Sequence, residues 1–241
     1  MAIKALIFDV DGTLAETEEL HRRAFNETFA EYGLGWHWDR ALYGELLKTT
    51  GGKERMLAHI RNNAPATRPA ETEIPAIHRR KTARYVELVA EGALELRPGI
   101  GELIEDARAR GVRLAVATTT NLPNVEALCR ACFGQPAGAL FEVICAGDQV
   151  KAKKPAPDVY ELALAHLGLS ARDCVALEDS HNGLLSAKGA GLRCIVSPGP
   201  YTQRQDFSLA DAVARCFCEI STLKAVEKIL NPATKEEHHG R

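Results

Sequence analysis

No stretch of the 241-residue chain approaches the ~18 consecutive apolar residues that a membrane-spanning helix needs. The N-terminal run to Phe8 also lacks a signal-peptide layout, because it is short and meets Asp9 where a cleavage site would lie. Charge of one sign is missing too. Thirty Lys+Arg stand against 32 Asp+Glu, a formal net charge of -2. That argues against an overall electrostatic grip on nucleic acid or a membrane surface, while leaving room for a local basic pocket. A disulfide framework is not indicated, since seven cysteines are an odd and scattered set. Cys129 and Cys132 have the spacing of a redox or zinc pair, but no second CxxC or paired His accompanies them and they sit in a helical pattern. The expectation is buried, reduced thiols in a cytoplasmic protein, or a protein of the chloroplast stroma if a transit peptide was removed. No heptad pattern or long apolar stripe appears, so a monomer is the default.

What is present is ordinary globular composition, 46% hydrophobic and 26% charged. At about 150 residues per domain, the length fits one large domain or one domain carrying an insertion. Short apolar runs at Ala5–Phe8, Val112–Ala117, Phe141–Cys145, Cys174–Leu177 and Cys194–Val196 alternate with helical patterns. This is the signature of a buried parallel sheet in an α/β fold. Pro123 and Pro155 mark two helix starts, and Ser180 caps a third helix that Gly189 or Gly191 closes. From Glu16 to Leu94 no strand pattern is found, only helical spacing such as Leu20, Ala24, Phe25, Phe29 and the stretch Ile77 to Val89. The predicted division is a core of residues 1–15 and 96–231, a helical insertion at 16–95 and a flexible polar tail at 232–241.

The sharpest feature follows the first strand: Asp9-Val10-Asp11-Gly12-Thr13. Ligands bind at the carboxyl ends of strands in doubly wound sheets. Two aspartates one residue apart can divide labour there, one attacking phosphorus and the other moving a proton. Further strand ends supply Thr118-Thr119-Thr120-Asn121, donors suited to phosphate oxygens, then Lys154-Pro155, a cation at an expected helix N-terminus, and Glu178-Asp179, hard oxygen ligands for magnesium beside Asp9. Each is weak alone. Their order at successive strand ends points to phosphoryl transfer.

These motifs together resemble the haloacid dehalogenase superfamily of phosphatases, in the group with a helical cap after the first motif. The likeness spans about residues 3 to 200. It implies a Rossmann-like doubly wound parallel sheet with an inserted α-helical cap, Asp9 as nucleophile, and Asp11 as general acid/base whose main-chain carbonyl also binds Mg2+. It further implies Asp179 as a direct metal ligand, Glu178 as a ligand through water or as an orienting group, and Thr118, Thr119 and Lys154 as phosphate holders. Within that superfamily, Asp9 to His21, Thr49 to Arg55 and Ala117 to Cys132 resemble the CbbY group, which acts on xylulose 1,5-bisphosphate. The cap independently carries His21, Arg22, Lys53, Arg55, His78, Arg79, Arg80 and Lys81, more cation than one transferred phosphate needs. Arg22, Arg79 and Arg80 are expected on a solvated face. Lys53, after Gly51-Gly52, sits where backbone amides approach a phosphate closely. By resemblance Lys53, Lys81 and His21 face the ligand, with Glu18, Tyr43 and Asn121 as further substrate contacts.

The implied activity is Mg2+-dependent hydrolysis of a phosphorylated sugar, with no nucleic-acid or membrane partner. A β-phosphoglucomutase-like mutase would use the same residues. A receiver-type signalling module is excluded by the length, the insertion and the DxDGT motif. A catalytically silent sugar-phosphate sensor is opposed only by the completeness of the motif set.

Overall fold

The computed structural model describes residues 3–92 and 94–231; the expected polar tail at 232–241 lies outside them. Six parallel strands, β1 (Ala5–Phe8), β2 (Arg113–Ala117), β3 (Val143–Cys145), β4 (Cys174–Glu178), β5 (Arg193–Val196) and β6 (Ala212–Val213), lie in the order β3-β2-β1-β4-β5-β6. The order runs one way from β1 to β3 and the other way from β4 to β6. The crevice between β1 and β4 is therefore the topological switch point, where ligands bind.

Strands covered on both faces read as apolar runs, and β1 to β5 do so except for Arg113, Glu178 and Arg193 at strand ends. Alternate residues feed two separate cores. Leu6, Phe8, Leu114, Val116, Val175 and Leu177 pack with helices α5 (Ile100–Ala109), α6 (Leu122–Phe133) and α10 (Leu223–Leu230). Ala5, Ile7, Ala115, Ala117, Cys174 and Ala176 pack with α8 (Asp158–Leu167) and α9 (His181–Gly189). A short helix, α7 (Ala137–Leu140), precedes β3.

Between β1 and β2 the chain leaves the sheet for α1 (Glu18–Glu31), α2 (Arg40–Leu46), α3 (Gly52–Asn63) and α4 (Ile74–Ala90). This block has its own apolar centre, built from Phe25, Phe29, Trp36, Trp38, Tyr43, Met56 and Ile77. Both tryptophans of the chain are there. Aromatic rings bury large areas, which lets a small helical unit hold itself together apart from the sheet. The helical insertion and the five strand runs follow the sequence expectation, within a residue or two at the ends. Strand β6 does not, since two residues at a sheet edge carry no periodicity to read.

Two local expectations need correction. Pro155 does not open a helix: α8 begins at Asp158, so Lys154 approaches the strand ends from a preceding turn and without help from that helix's dipole. Two thiols are also not free, because Cys216 and Cys218 form a disulfide; the other five are unpaired. Cys129 and Cys132 are among those five, and burial pushes the Cys129 thiol up to about 12, which leaves it unreactive. Ser180 caps α9 as expected, its Oγ accepting from Gly183 N at 3.2 Å, and Gly191 closes the helix with φ +78°.

Among the described residues no helix is long and apolar enough to cross a membrane.

Candidate active site

The strand ends converge as their order requires. Asp9 leaves β1, Thr118 leaves β2, Lys154 comes from the turn after β3, and Glu178 and Asp179 close β4. The Lys154 ammonium is buried and donates to Asp9 Oδ1 at 2.6 Å, to Glu178 Oε1 at 2.6 Å and to the carbonyl oxygen of Ala117 at 2.9 Å. Tyr160 from α8 donates to the same Glu178 oxygen at 2.6 Å. Burial alone would lower the Lys154 pKa, but Asp9 and Glu178 outweigh it and hold the ammonium above its usual range.

One ammonium does not balance three acids. Asp9, Glu178 and Asp179 are all buried and bring one carboxylate oxygen each within 4.8 Å of the others. Burial pushes Asp9 up to about 7 against the pull of Lys154, with Glu178 and Asp11 adding to the rise. Burial, Asp9 and Glu178 raise Asp179 well above the carboxylate range. Glu178 Oε2 is buried without a hydrogen-bond partner. Surplus negative charge on hard oxygen donors is the chemistry that a Mg2+ ion satisfies, so these residues fit that cofactor. Gly12 makes the approach possible: with φ +81°, its place would put a Cβ 2.4 Å from Asp179 Oδ2.

A thermal measurement follows from these shifts. Asp9 is a carboxyl with a raised folded pKa, so the folded chain binds more protons than the unfolded one between about pH 4 and 7. Its contribution to stability is therefore lost as pH rises through that window. Mg2+ competes for the same oxygens and should stabilise more where they are ionised. The Tm gain on adding Mg2+ is expected to be several degrees larger at pH 8 than at pH 5.5. An equal gain at both, or none, would show that the cluster is not the metal site.

Asp11 belongs to a different network. Its Oδ1 accepts from Thr17 Oγ1 at 2.6 Å and lies 2.9 Å from His21 Nε2, while His21 Nδ1 lies 2.6 Å from Lys81 Nζ. His21 stacks on Tyr85 with centroids 3.9 Å apart. Burial would raise Asp11, but His21, Thr17 and Lys81 outweigh it and hold it well below the carboxylate range. Burial and Lys81 lower His21, and burial brings Lys81 down to about 7. The two shifts favour the proton on Lys81 over His21, an arrangement in which neutral His21 accepts at Nδ1 and donates from Nε2.

The helical block closes over this floor and leaves a cavity of about 430 Å³. Of the residues singled out in the sequence, Asp9, Asp11, Glu18, His21, Gly51, Gly52, Lys53, Lys81, Thr118, Thr119, Asn121, Lys154 and Asp179 line it. Tyr43 does not. It is fully buried in the aromatic centre of the cap, donating to Glu18 Oε2 at 2.8 Å and accepting from Arg55 Nη1 at 3.2 Å, so it positions Glu18 instead of meeting a sugar hydroxyl. Glu178 likewise sits beneath the floor. The Asp11 carboxylate stands outside the acidic cluster of Asp9, Glu178 and Asp179.

The close approach permitted by Gly52 is to a side chain, since a Cβ there would lie 2.2 Å from His78 Nε2. Arg22, Arg79 and Arg80 do not line the cavity; Arg22 pairs with Glu19, and Arg80 with Glu31 and Glu87. Residues with no sequence signal also enter. Asn182 of α9 donates to Thr50 Oγ1 at 3.0 Å, Lys53 meets Asp148 at 3.2 Å, and Tyr201 hydrogen-bonds Glu19. Each joins core to cap across a long sequence separation, which no local pattern encodes.

A family profile for haloacid dehalogenase-like hydrolases matches residues 3–191. The chain belongs to this family. Within the haloacid dehalogenase-like hydrolases it is closely related to CbbY. The CbbY protein of Cereibacter sphaeroides is 60% identical over 225 residues, covering 93% of this chain and 97% of that protein. The crystal structure of CbbY from Rhodobacter sphaeroides in complex with phosphate superposes with a TM-score of 0.90 at 60% identity, over 93% of this chain and 99% of that one. A mutant of the same protein, crystallised with xylulose 1,5-bisphosphate, matches with a TM-score of 0.90 at 60% identity, over 92% and 98%.

Proposed function

We propose that this haloacid dehalogenase-like hydrolase is a Mg2+-dependent phosphatase that converts xylulose 1,5-bisphosphate to xylulose 5-phosphate and inorganic phosphate. The observation that carries the reading is the buried pair of differently tuned aspartates, Asp9 on Lys154 and Asp11 on His21, beneath a cap lined with cations. The sugar bound by the related CbbY crystal supplies the substrate.

In this reading the Asp9 carboxylate attacks phosphorus and forms an aspartyl-phosphate as the phosphorus–sugar oxygen bond breaks. Lys154 holds Asp9 in place, and with Thr118 and Thr119 it draws charge from the phosphoryl oxygens. A bound Mg2+, held by Asp9, Asp179 and the Asp11 carbonyl, would supply Lewis-acid neutralisation of the phosphate charge. Asp11 is ionised at rest, so its acid role needs a proton delivered to it. Lys81 gives one to His21 Nδ1, and His21 passes its Nε2 proton to Asp11, which protonates the departing sugar oxygen. Asp11 then takes a proton from the water that cleaves the intermediate. Lys53, Arg55 and Lys48 on the cap side of the cavity offer positive charge for the second phosphate.

Lys81→Met separates the roles of this chain. Because the folded Lys81 pKa is depressed, the unfolded chain binds more protons between about pH 7 and 10.5, and wild-type stability rises with pH across that window. The variant should lose that rise and melt a few degrees higher than wild type at pH 7, while kcat/KM falls about 100-fold. A lower Tm at pH 7, or unchanged kcat/KM, would contradict the assignment.

A phosphate-release screen over mono- and bisphosphorylated pentoses and hexoses tests the substrate. Xylulose 1,5-bisphosphate should lead. An isomerised sugar phosphate without free phosphate would identify a mutase, and tight binding with neither product would identify a sensor.

A further inference from the structure

We infer that Cys216 and Cys218 form a reversible dithiol–disulfide site that sets the packing of the hinge between sheet and cap, a regulatory site whose effect on turnover rests on the phosphatase reading. The pair flanks Phe217 in a short turn and is joined in the structure, with Cα atoms 5.1 Å apart. Cys218 is exposed and Cys216 partly so, while Phe217 between them is fully buried. The sulfurs are thus open to exchange, while the residue they bracket is anchored in the core.

That residue sits under the hinge. The chain crosses between core and cap at Ala15–Glu16 and again at Leu96–Arg97, where Ala15 bridges Leu96 and Arg97 N donates to Leu14 O at 2.8 Å. The Arg97 guanidinium lies 4.8 Å over the Phe217 ring. The same guanidinium ties both crossings to the site: Nη1 donates at 2.6 Å to the carbonyl oxygen of Gly12, in the loop carrying both aspartates, and Nε pairs with Glu16 at 3.1 Å. Two residues on, Gly99 adopts φ +94°, and a Cβ there would lie 2.4 Å from the Phe217 carbonyl and 2.5 Å from Cys218 N. Cys216 Sγ itself lies 3.7 Å from Pro98 O. The hinge therefore meets the cysteine turn at three consecutive residues, through the Arg97 side chain, the Pro98 carbonyl and the backbone of Gly99. A change in the freedom of the turn reaches Arg97 and through it the Gly12 carbonyl.

The exchange needs a disulfide co-reactant, for which oxidised glutathione is the probe. The thiolate of exposed Cys218 attacks one sulfur, forming a mixed disulfide and releasing one glutathione thiol. Cys216 then attacks the Cys218 sulfur, closing the protein disulfide and expelling the second thiol. Two electrons pass to glutathione, and the two protons end on the thiols released. The joined turn holds Phe217 in one place. The reduced turn, with a new S–H beside Pro98 O, is freer and supports Arg97 less firmly.

The test equilibrates the full-length protein in buffers of graded reduced-to-oxidised glutathione ratio. At each ratio, alkylatable thiols at Cys216 and Cys218 are counted by mass spectrometry, amide exchange is followed at Arg97–Ile100, and phosphate release is assayed. Two thiols should interconvert with none across the series. The reduced form should exchange faster at the hinge amides and turn over about threefold or more slowly. The Cys216→Ser/Cys218→Ser double variant, at exposed and half-exposed positions, should behave as the reduced form at every ratio. The proposal falls if the pair does not interconvert, if hinge exchange is the same in both states, or if the double variant still responds to glutathione. Absence of phosphate release in both states counts against the phosphatase reading instead, and the pair is then decided by the thiol count and hinge exchange.

Discussion

Asp9→Asn is expected to lower phosphate release by about 10⁴-fold or more while leaving the protein folded. The amide is nearly the size of the carboxylate, so the packing around β1 need not change, but it cannot form the aspartyl-phosphate. Its effect on stability should run against intuition. Burial pushes the Asp9 pKa up to about 7, with the charges of Glu178 and Asp11 adding to the rise, and Lys154 keeps Glu178 and the Ala117 carbonyl as partners when Asp9 is neutral. Without Mg2+ the variant should melt at or above the wild-type temperature, and its stabilisation by Mg2+ should shrink. Turnover within tenfold of wild type would remove Asp9 from the role of nucleophile. A large drop in Tm would mean that Asp9 is mainly a structural partner of Lys154.

Lys154→Met is expected to damage both properties at once. The ammonium is the shared partner of Asp9 and Glu178, each 2.6 Å away. Breaking a buried ionic network by deleting one partner leaves charges that nothing compensates, and this typically costs about 3–5 kcal/mol. For a chain of this size that is on the order of 10 °C in Tm. Phosphate release should fall by about 10³-fold, because the cation that draws charge from the phosphoryl oxygens is gone. The stability loss carries a sign in pH. Lys154 pulls the Asp9 carboxyl down towards about 7, so its loss leaves that group higher, and the deficit should be larger at pH 7.5 than at pH 5, where Asp9 is protonated in both proteins. Melting curves at both values decide it, and a deficit that widens on acidification would mean the carboxylates are not what Lys154 compensates.

The contrast between these two variants shows how much of the site was readable before folding. Asp9, Asp11, Thr118, Lys154, Glu178 and Asp179 follow strand ends in chain order, and those strand ends are marked by apolar runs of four to six residues. The parallel sheet brings them together whatever the loops do. The helical insertion was equally legible, because its 3.6-residue periodicity has no strand pattern beside it. The Asp11–His21–Lys81 chain was only half visible. His21 and Lys81 lie 60 residues apart on α1 and α4, and their 2.6 Å contact depends on how those helices pack.

Tyr43 was misplaced for a related reason. A tyrosine beside a sugar site reads as a hydroxyl partner, but an aromatic residue on a small domain whose centre is built from aromatic rings is also core material, and here packing won. Lys154 was placed in the right site by the wrong device, since Pro155 suggested a helix start that the chain delays to Asp158. The cysteines show the limit of counting. Seven residues, most of them buried, give no hint that two exposed or half-exposed ones two positions apart are joined. Arg97 carried no motif, yet it is the contact point between hinge, catalytic loop and cysteine turn.

The central claim is that Asp9 carries the phosphoryl group during turnover. Its most direct test is a rapid acid quench of the wild-type enzyme with Mg2+ and xylulose 1,5-bisphosphate labelled in the 1-phosphate, followed by proteolysis at low pH. The label should appear transiently on the peptide containing Asp9, decay as free phosphate grows, and be absent from the Asp9→Asn protein. Label passing straight to free phosphate with none on that peptide at any quench time, in an enzyme turning over normally, would contradict the account.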